Sequence, residues 1–154
     1  MACERAERIG DGKPLTLSVQ VQHWPIRGQF TIARGSKSEA VVVLAEISDG
    51  TVTGRGECVP YARYGESING VVAAIENLRP ALQQGLDRQR LERLLSPGAA
   101  RNAVDCALWD LQAKQAGCSA AELAGLAPLK AVPTAYTISL GEPEVMAAQA
   151  RQAL

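Results

Sequence analysis

The sequence has a single histidine, His23, and none of its four cysteines (Cys3, Cys58, Cys106 and Cys118) forms a CxxC pair. No zinc-ligand spacing can be built from that set. A cysteine nucleophile needs an adjacent base, and His23, beside Trp24 at the end of a strand pattern, is a poor one. Cys106 falls within an apolar helical pattern and is expected to be a small buried hydrophobe. The thiols are therefore expected to be structural, in a reducing compartment. Net charge is also missing, since sixteen basic side chains balance sixteen acidic ones. Without a concentrated positive field, neither nucleic acid nor an anionic membrane is expected as a partner. No apolar run approaches the ~20 residues that cross a bilayer. The opening "MACERAERIGDGKPLTL" carries charges where a signal peptide has its apolar segment, which makes the cytoplasm the expected location. A lone GxG at Gly54 and Gly56 lacks the third glycine and the following helix of a dinucleotide fingerprint.

What is present suffices for a core. The chain is 47% hydrophobic and 21% charged, enough for one domain of usual size or a domain plus a fragment. From Leu15 to Trp24, "LTLSVQVQHW" alternates apolar and polar residues, the pattern of a half-buried strand. "FTIARGSKS" reads as a break, "EAVVVLAEI" as a second strand, and Asp49-Gly50 as the hairpin leading into "TVTGRGE". The two glycines of that third strand leave one face bare, which predicts close approach of another backbone.

After "CVPYARYGES" the period changes. Ser67 is placed to cap a helix carrying Val71, Val72, Ile75 and Leu78. A short amphipathic helix is expected over "DRQRLERLL". Ser96-Pro97 reads as a cap and first helical residue before an alanine-rich stripe: Ala100, Ala103, Val104, Ala107, Leu108 and Leu111. Asp110 and Lys114 form an i,i+4 pair on the wet side, and Gly117 is a C-cap. Arg101, Asp105 and Asp110 read as a solvated or salt-bridged face. The expected fold is α+β, a three-stranded antiparallel meander followed by helices. "AVPTAYTISLG" is a further strand candidate, leading into a helix at "EPEVMAAQARQAL". A strand running directly into a helix is the unit of a parallel α/β sheet or barrel.

The meander, the helices, "GAARNAVDCALWDLQAK" and the final βα unit together resemble the N-terminal part of the enolase superfamily, nearest its muconate-lactonizing subgroup. "FTIARGSKSEA", "GRGECVPYARYGES" and "GAARNAVDCALWDL" look like a dipeptide epimerase of the L-Ala-D/L-Glu type. The resemblance implies a flexible extension at 1–14, a capping domain at 15–130 and the first strand and partial helix of a TIM-like barrel at 131–154. It also implies Mg²⁺-assisted 1,1-proton transfer, the enediolate being stabilised by a metal and a cation. Two lysines on either side of one carbon would move the proton. Those lysines and the metal carboxylates belong to later barrel strands. The resemblance thus assigns no catalytic or metal-binding residue to this chain, which is expected to be inactive alone.

What it does carry over is substrate recognition. Arg34 matches the arginine that pairs with a substrate carboxylate, a task suited to a guanidinium fork. Phe30 and Ile32 would form apolar walls, or else fill the cap's own core. Thr137 would hydrogen-bond the substrate from the end of the first barrel strand, where such barrels build their sites, or is simply a β-branched strand residue. Tyr61, Arg63 and Tyr64 would close over a small acidic dipeptide, or pack on the seam between cap and barrel. The alternatives are a muconate cycloisomerase or o-succinylbenzoate synthase relative, and a non-catalytic binding module. Self-association as a homo-oligomer is left open.

Overall fold

The computed structural model describes residues 13–127 and 129–153, so Cys3 and most of the expected N-terminal extension lie outside the described residues. The elements are β1 (Thr16–Ile32), β2 (Gly35–Ser48), β3 (Thr53–Cys58), a 3₁₀ turn (Ala62–Tyr64), α1 (Ile68–Glu76), α2 (Arg79–Gln83), α3 (Arg88–Leu94), α4 (Ala99–Ala116), α5 (Ala120–Leu123) and α6 (Pro143–Ala153). The three strands form one sheet in the order β1-β2-β3. The expected meander and helices are present. The chain divides into two compact units, one joining residues up to Gln22 with Val41–Leu129, the other joining His23–Ala40 with the segment from Lys130 onward.

In the first unit, β2 and β3 pair antiparallel with Ala45 opposite Gly56 and Ser48 opposite Thr53. The turn between them forms as expected: the Asp49 carboxylate accepts from the amides of Thr51 (2.8 Å) and Val52 (2.9 Å), and Gly50 takes φ 89°. The bare face of β3 receives α4. A Cβ on Gly54 would overlap the Ala107 carbonyl and stand 2.6 Å from the Leu111 Cβ. Around this contact lies the core, with Val43, Ile47, Ile75, Leu82, Leu86, Leu91, Val104, Leu108 and Leu111 fully buried. The Asp110–Lys114 pair closes at 2.7 Å. Asp110 also accepts from the Arg55 amide at 2.8 Å, and Lys114 donates to the Thr53 carbonyl at 2.8 Å. The pair therefore also binds the exposed edge of β3 to α4. The start of β1 is held by Leu15 N–H to the Leu82 carbonyl (3.0 Å) and by Arg79 to the Leu17 carbonyl (2.6 Å).

Several local expectations are corrected. β1 does not end near Trp24 but runs through Pro25 and Gly28 to Ile32, so the expected break shrinks to the Ala33–Arg34 turn. β1 is an edge strand with β2 as its neighbour, and an edge tolerates a proline because one side of its ladder needs no donor. Ser96 does not cap α4: the N-cap is Gly98, with no side-chain bond of its own. Cys106 is exposed, whereas Cys58 is the buried thiol, its Sγ donating to the Val43 carbonyl at 3.7 Å. One residue is about 100° of helix, so Cys106 is rotated off the buried stripe that contains Ala107. Ser119 and Glu122 form a capping box at α5 that the helical periodicity does not reveal.

In the second unit, α6 begins at Pro143 as expected, but residues 131–142 carry no regular secondary structure. A strand of a parallel sheet exists through its ladder, and among the described residues no strand pairs with this stretch.

Candidate functional site

The second unit presents the end of the β1–β2 hairpin. Its two-residue turn, Ala33–Arg34, follows Phe30 and Ile32, which are half-buried, and it exposes Arg34. No ion pair engages Arg34 among the described residues. The hairpin end is braced from within, since the hydroxyls of Thr31 and Ser36 lie 2.8 Å apart. It is also clasped by the segment that carries Thr137. The Ser139 hydroxyl accepts from the Thr31 amide (3.0 Å) and donates to the Gln29 carbonyl (3.1 Å), while the Leu140 amide donates to the Thr31 carbonyl (2.9 Å). One hydroxyl thus fixes the main chain on both sides of Phe30. The structure brings Phe30, Ile32 and Arg34 onto one hairpin end, with Thr137, exposed, two residues before the clasp. Ser139 escapes sequence reasoning because its partners are backbone atoms 108 and 110 residues away.

The first unit carries the other three candidates. Tyr61 is half-buried, while Arg63 and Tyr64 are exposed. The tyrosine rings stand 5.7 Å apart at 51°, a tilted arrangement within the favourable range for aromatic pairs. The 3₁₀ turn that places them ends at Gly65, in the left-handed region at φ 75°. Arg63 makes no ion pair among the described residues. At the base of this loop stands Glu66, a residue the sequence reading passed over. Its Oε2 accepts from the Tyr61 amide at 2.9 Å and its Oε1 from the Ala99 amide at 2.6 Å. Those two N–H groups hold its carboxyl below the usual range. Ser96 in "SPG" is itself a cap candidate by residue type, so nothing in the sequence points to Glu66 as the acceptor for α4.

The remaining titratable groups give little to chemistry. Burial, with the Glu66 and Glu57 carboxylates adding to it, pushes the Cys58 thiol up to about 11. His23 is exposed, its Nδ1 3.3 Å from the Glu39 carboxylate. Among the described residues no group of three or more His, Cys, Asp or Glu could hold a metal ion, and no helix is long and apolar enough to cross a membrane. The second unit presents the Arg34 guanidinium and the Thr137 hydroxyl at its surface, and the first presents Arg63 and Tyr64.

Known proteins resemble the chain along most of its length. The family model for the mandelate racemase / muconate lactonizing enzyme N-terminal domain matches residues 15–125. The chain is 48% identical over 132 residues to the L-Ala-D/L-Glu epimerase of Escherichia coli (strain K12), covering 86% of this chain and 41% of that protein. An enolase family member from Agrobacterium tumefaciens with homology to dipeptide epimerases, solved with sodium and L-Ala-L-Glu and an ordered loop, superposes with a TM-score of 0.85 at 51% identity, over 90% of this chain and 43% of that one. The dipeptide epimerase from Methylococcus capsulatus, complexed with Mg and L-Arg-D-Lys, gives a TM-score of 0.78 at 28% identity, over 90% and 42%. The chain thus spans about two-fifths of the length of the relatives it matches. The three-stranded antiparallel sheet and its helices are an enolase-type capping fold, and the chain belongs to the enolase superfamily as an N-terminal domain of the mandelate racemase / muconate lactonizing enzyme family.

Proposed function

We propose that this chain is the substrate-capping portion of a dipeptide epimerase that acts on L-Ala-D/L-Glu-like dipeptides by Mg²⁺-assisted 1,1-proton transfer at an α-carbon. The observation that carries the reading is Arg34, a permanent cation on a clasped two-residue turn with no described carboxylate neutralising it. A guanidinium so placed suits the bidentate reading of a substrate carboxylate. Phe30 and Ile32 wall the same hairpin end, and Thr137 supplies a hydroxyl. Tyr61, Arg63 and Tyr64 form a loop suited to covering a small ligand and excluding water. The names of the similar proteins support the substrate class.

The metal is a different matter. The described residues do not fit Mg²⁺, because no three His, Cys, Asp or Glu side chains stand together among them. Its ligands, and the lysines that would move the proton, are assigned to the rest of the enzyme, and no step of the chemistry is given to this chain.

The test uses L-Ala-L-Glu in deuterated buffer. The 154-residue chain is expected to leave the glutamate α-proton unexchanged, while the full-length enzyme exchanges it. Exchange catalysed by the chain alone, or none by the full-length enzyme with any acidic dipeptide, overturns the proposal.

A further inference from the structure

We propose that Glu66 is the positioning residue of the Tyr61–Tyr64 loop, latching it to the first turn of α4. The importance of the latch for substrate rests on reading that loop as a lid, whereas the latch itself rests on geometry alone. Glu66 spans two places with one carboxylate. Its Oε2 takes the amide of Tyr61, where the loop turns, and its Oε1 takes the amide of Ala99, the first residue of α4. The other hydrogen bonds of residues 59–65 are internal among the described residues: Tyr64 N–H to the Tyr61 carbonyl (2.9 Å) and Gly65 N–H to the Ala62 carbonyl (3.0 Å). In its described hydrogen bonds the loop is therefore a closed turn tied to α4 through one side chain.

The surroundings of the latch are shaped for it. The N-cap of α4 is Gly98, which has no side chain to satisfy the helix's first amides. Gly98 takes φ 159° and ψ −177°, a conformation that excludes other residues, and a Cβ there would also stand 2.9 Å from Glu66 Oε1. A carboxylate is also the right group, since it accepts through two oxygens and is favoured at the positive end of a helix. A glutamine offers one oxygen and turns an amide donor toward the other N–H, so Glu66→Gln keeps the size but breaks one link. With the latch closed, Tyr61, Arg63 and Tyr64 are held in one arrangement before any ligand arrives, and ordering them on binding costs less.

The test is residue-resolved amide exchange on wild-type protein, Glu66→Gln and Glu66→Asp, with trypsin nicking after Arg63 as a second readout. In both variants the Tyr61 amide is expected to exchange about tenfold faster and the nick to form sooner, while the core amides of Ile75 and Leu108 keep their rates. An unchanged Tyr61 amide overturns the proposal. So does an equal acceleration of all these amides, which would make Glu66 a helix cap and nothing more. Should Glu66→Gln fail to fold, Glu66→Asp, which keeps the charge but is too short to reach both amides, gives the same reading. In the full-length enzyme, KM for L-Ala-L-Glu is expected to rise about tenfold in Glu66→Gln with kcat within about twofold. A loosened loop with unchanged KM upholds the latch and overturns the lid.

Discussion

Gly56 of β3 lies so close to Ala103 of α4 that no side-chain carbon fits between them. A Cβ at Gly56 would overlap the Ala103 carbonyl and stand 2.6 Å from the Ala107 amide nitrogen. The obstacle is backbone on both sides, so no rotamer change can relieve it. Gly56→Ala is accordingly expected to cost about 3 kcal/mol or more, at or beyond the upper end for overpacked sites. Gly50→Ala at the exposed turn meets nothing within 4 Å and is expected to cost less, through its positive φ alone. Denaturant unfolding of both variants decides the matter. Equal losses would mean that the β3–α4 contact is looser than described.

The two placed thiols of opposite environment give a second prediction. Cys58 is buried with its thiol pushed up to about 11, so at pH 8 only about one molecule in a thousand carries its thiolate. Cys106 is raised as well, by partial burial and the neighbouring Asp105, but its side chain is open to solvent. Iodoacetamide on the native protein, read by peptide mapping, is expected to label Cys106 well before Cys58. Cys58 should react at a comparable rate only once the protein is unfolded. Native-state labelling of Cys58 as fast as Cys106 would contradict the burial described.

Much of the fold is legible in the sequence because its signals are local. Gly54 and Gly56, the alanines at 103 and 107, Asp49-Gly50, Ser67 and Gly117 each act within a few residues or mark a face by their size, and each holds its expected place. What stays hidden depends on partners distant in sequence. Nothing beside Pro25 reveals that pairing with β2 carries β1 past it, and nothing beside Glu66 reveals that Ala99 lies 2.6 Å away. For the candidate site, sequence supplied the residue types, and Arg34 does stand exposed on a turn. The groups that hold those residues, Ser139 and Glu66, become legible only in the fold, because both act on backbone groups, which leave no mark on the sequence.

Acid should weaken the first unit in a defined window. Asp49 is held below its ordinary 3.8 chiefly by the Gln115 side chain, with the Val52 and Thr51 amides adding to it. Glu66, Glu76 and Glu122 are held below their ordinary 4.5, by the Ala99 and Tyr61 amides, by Arg79, and by the Ser119 amide and hydroxyl respectively. A carboxyl whose folded value is depressed contributes stability that is present above its unfolded value and disappears as pH falls through the folded one. These carboxyls therefore leave Tm unchanged between pH 7 and the ordinary glutamate value of 4.5, and lower it below that point. Thermal melts across pH 7 to pH 3 test this, and a Tm that holds to pH 3 would show that these contacts contribute nothing.

The last prediction concerns the hairpin end. If Arg34 reads a substrate carboxylate, Arg34→Ala in the full-length enzyme removes charge-assisted hydrogen bonds of roughly 1.5–3 kcal/mol each. That corresponds to about a 10- to 150-fold loss in kcat/KM for acidic dipeptides. Stability should barely change, since Arg34 is exposed and makes no ion pair among the described residues. Ser139→Ala acts on the same property by another route. It leaves the guanidinium intact but frees the Thr31 amide and the Gln29 carbonyl that hold the hairpin end. A smaller loss is expected, about tenfold and mostly in KM, with Ser139→Thr restoring much of it because the hydroxyl returns. The double variant distinguishes positioning from independent binding. With Arg34 gone there is no cation left to position, so adding Ser139→Ala should cost much less than it does alone. Full additivity would separate the clasp from carboxylate recognition, and an Arg34→Ala enzyme with unchanged kcat/KM for every acidic dipeptide would remove Arg34 from the site.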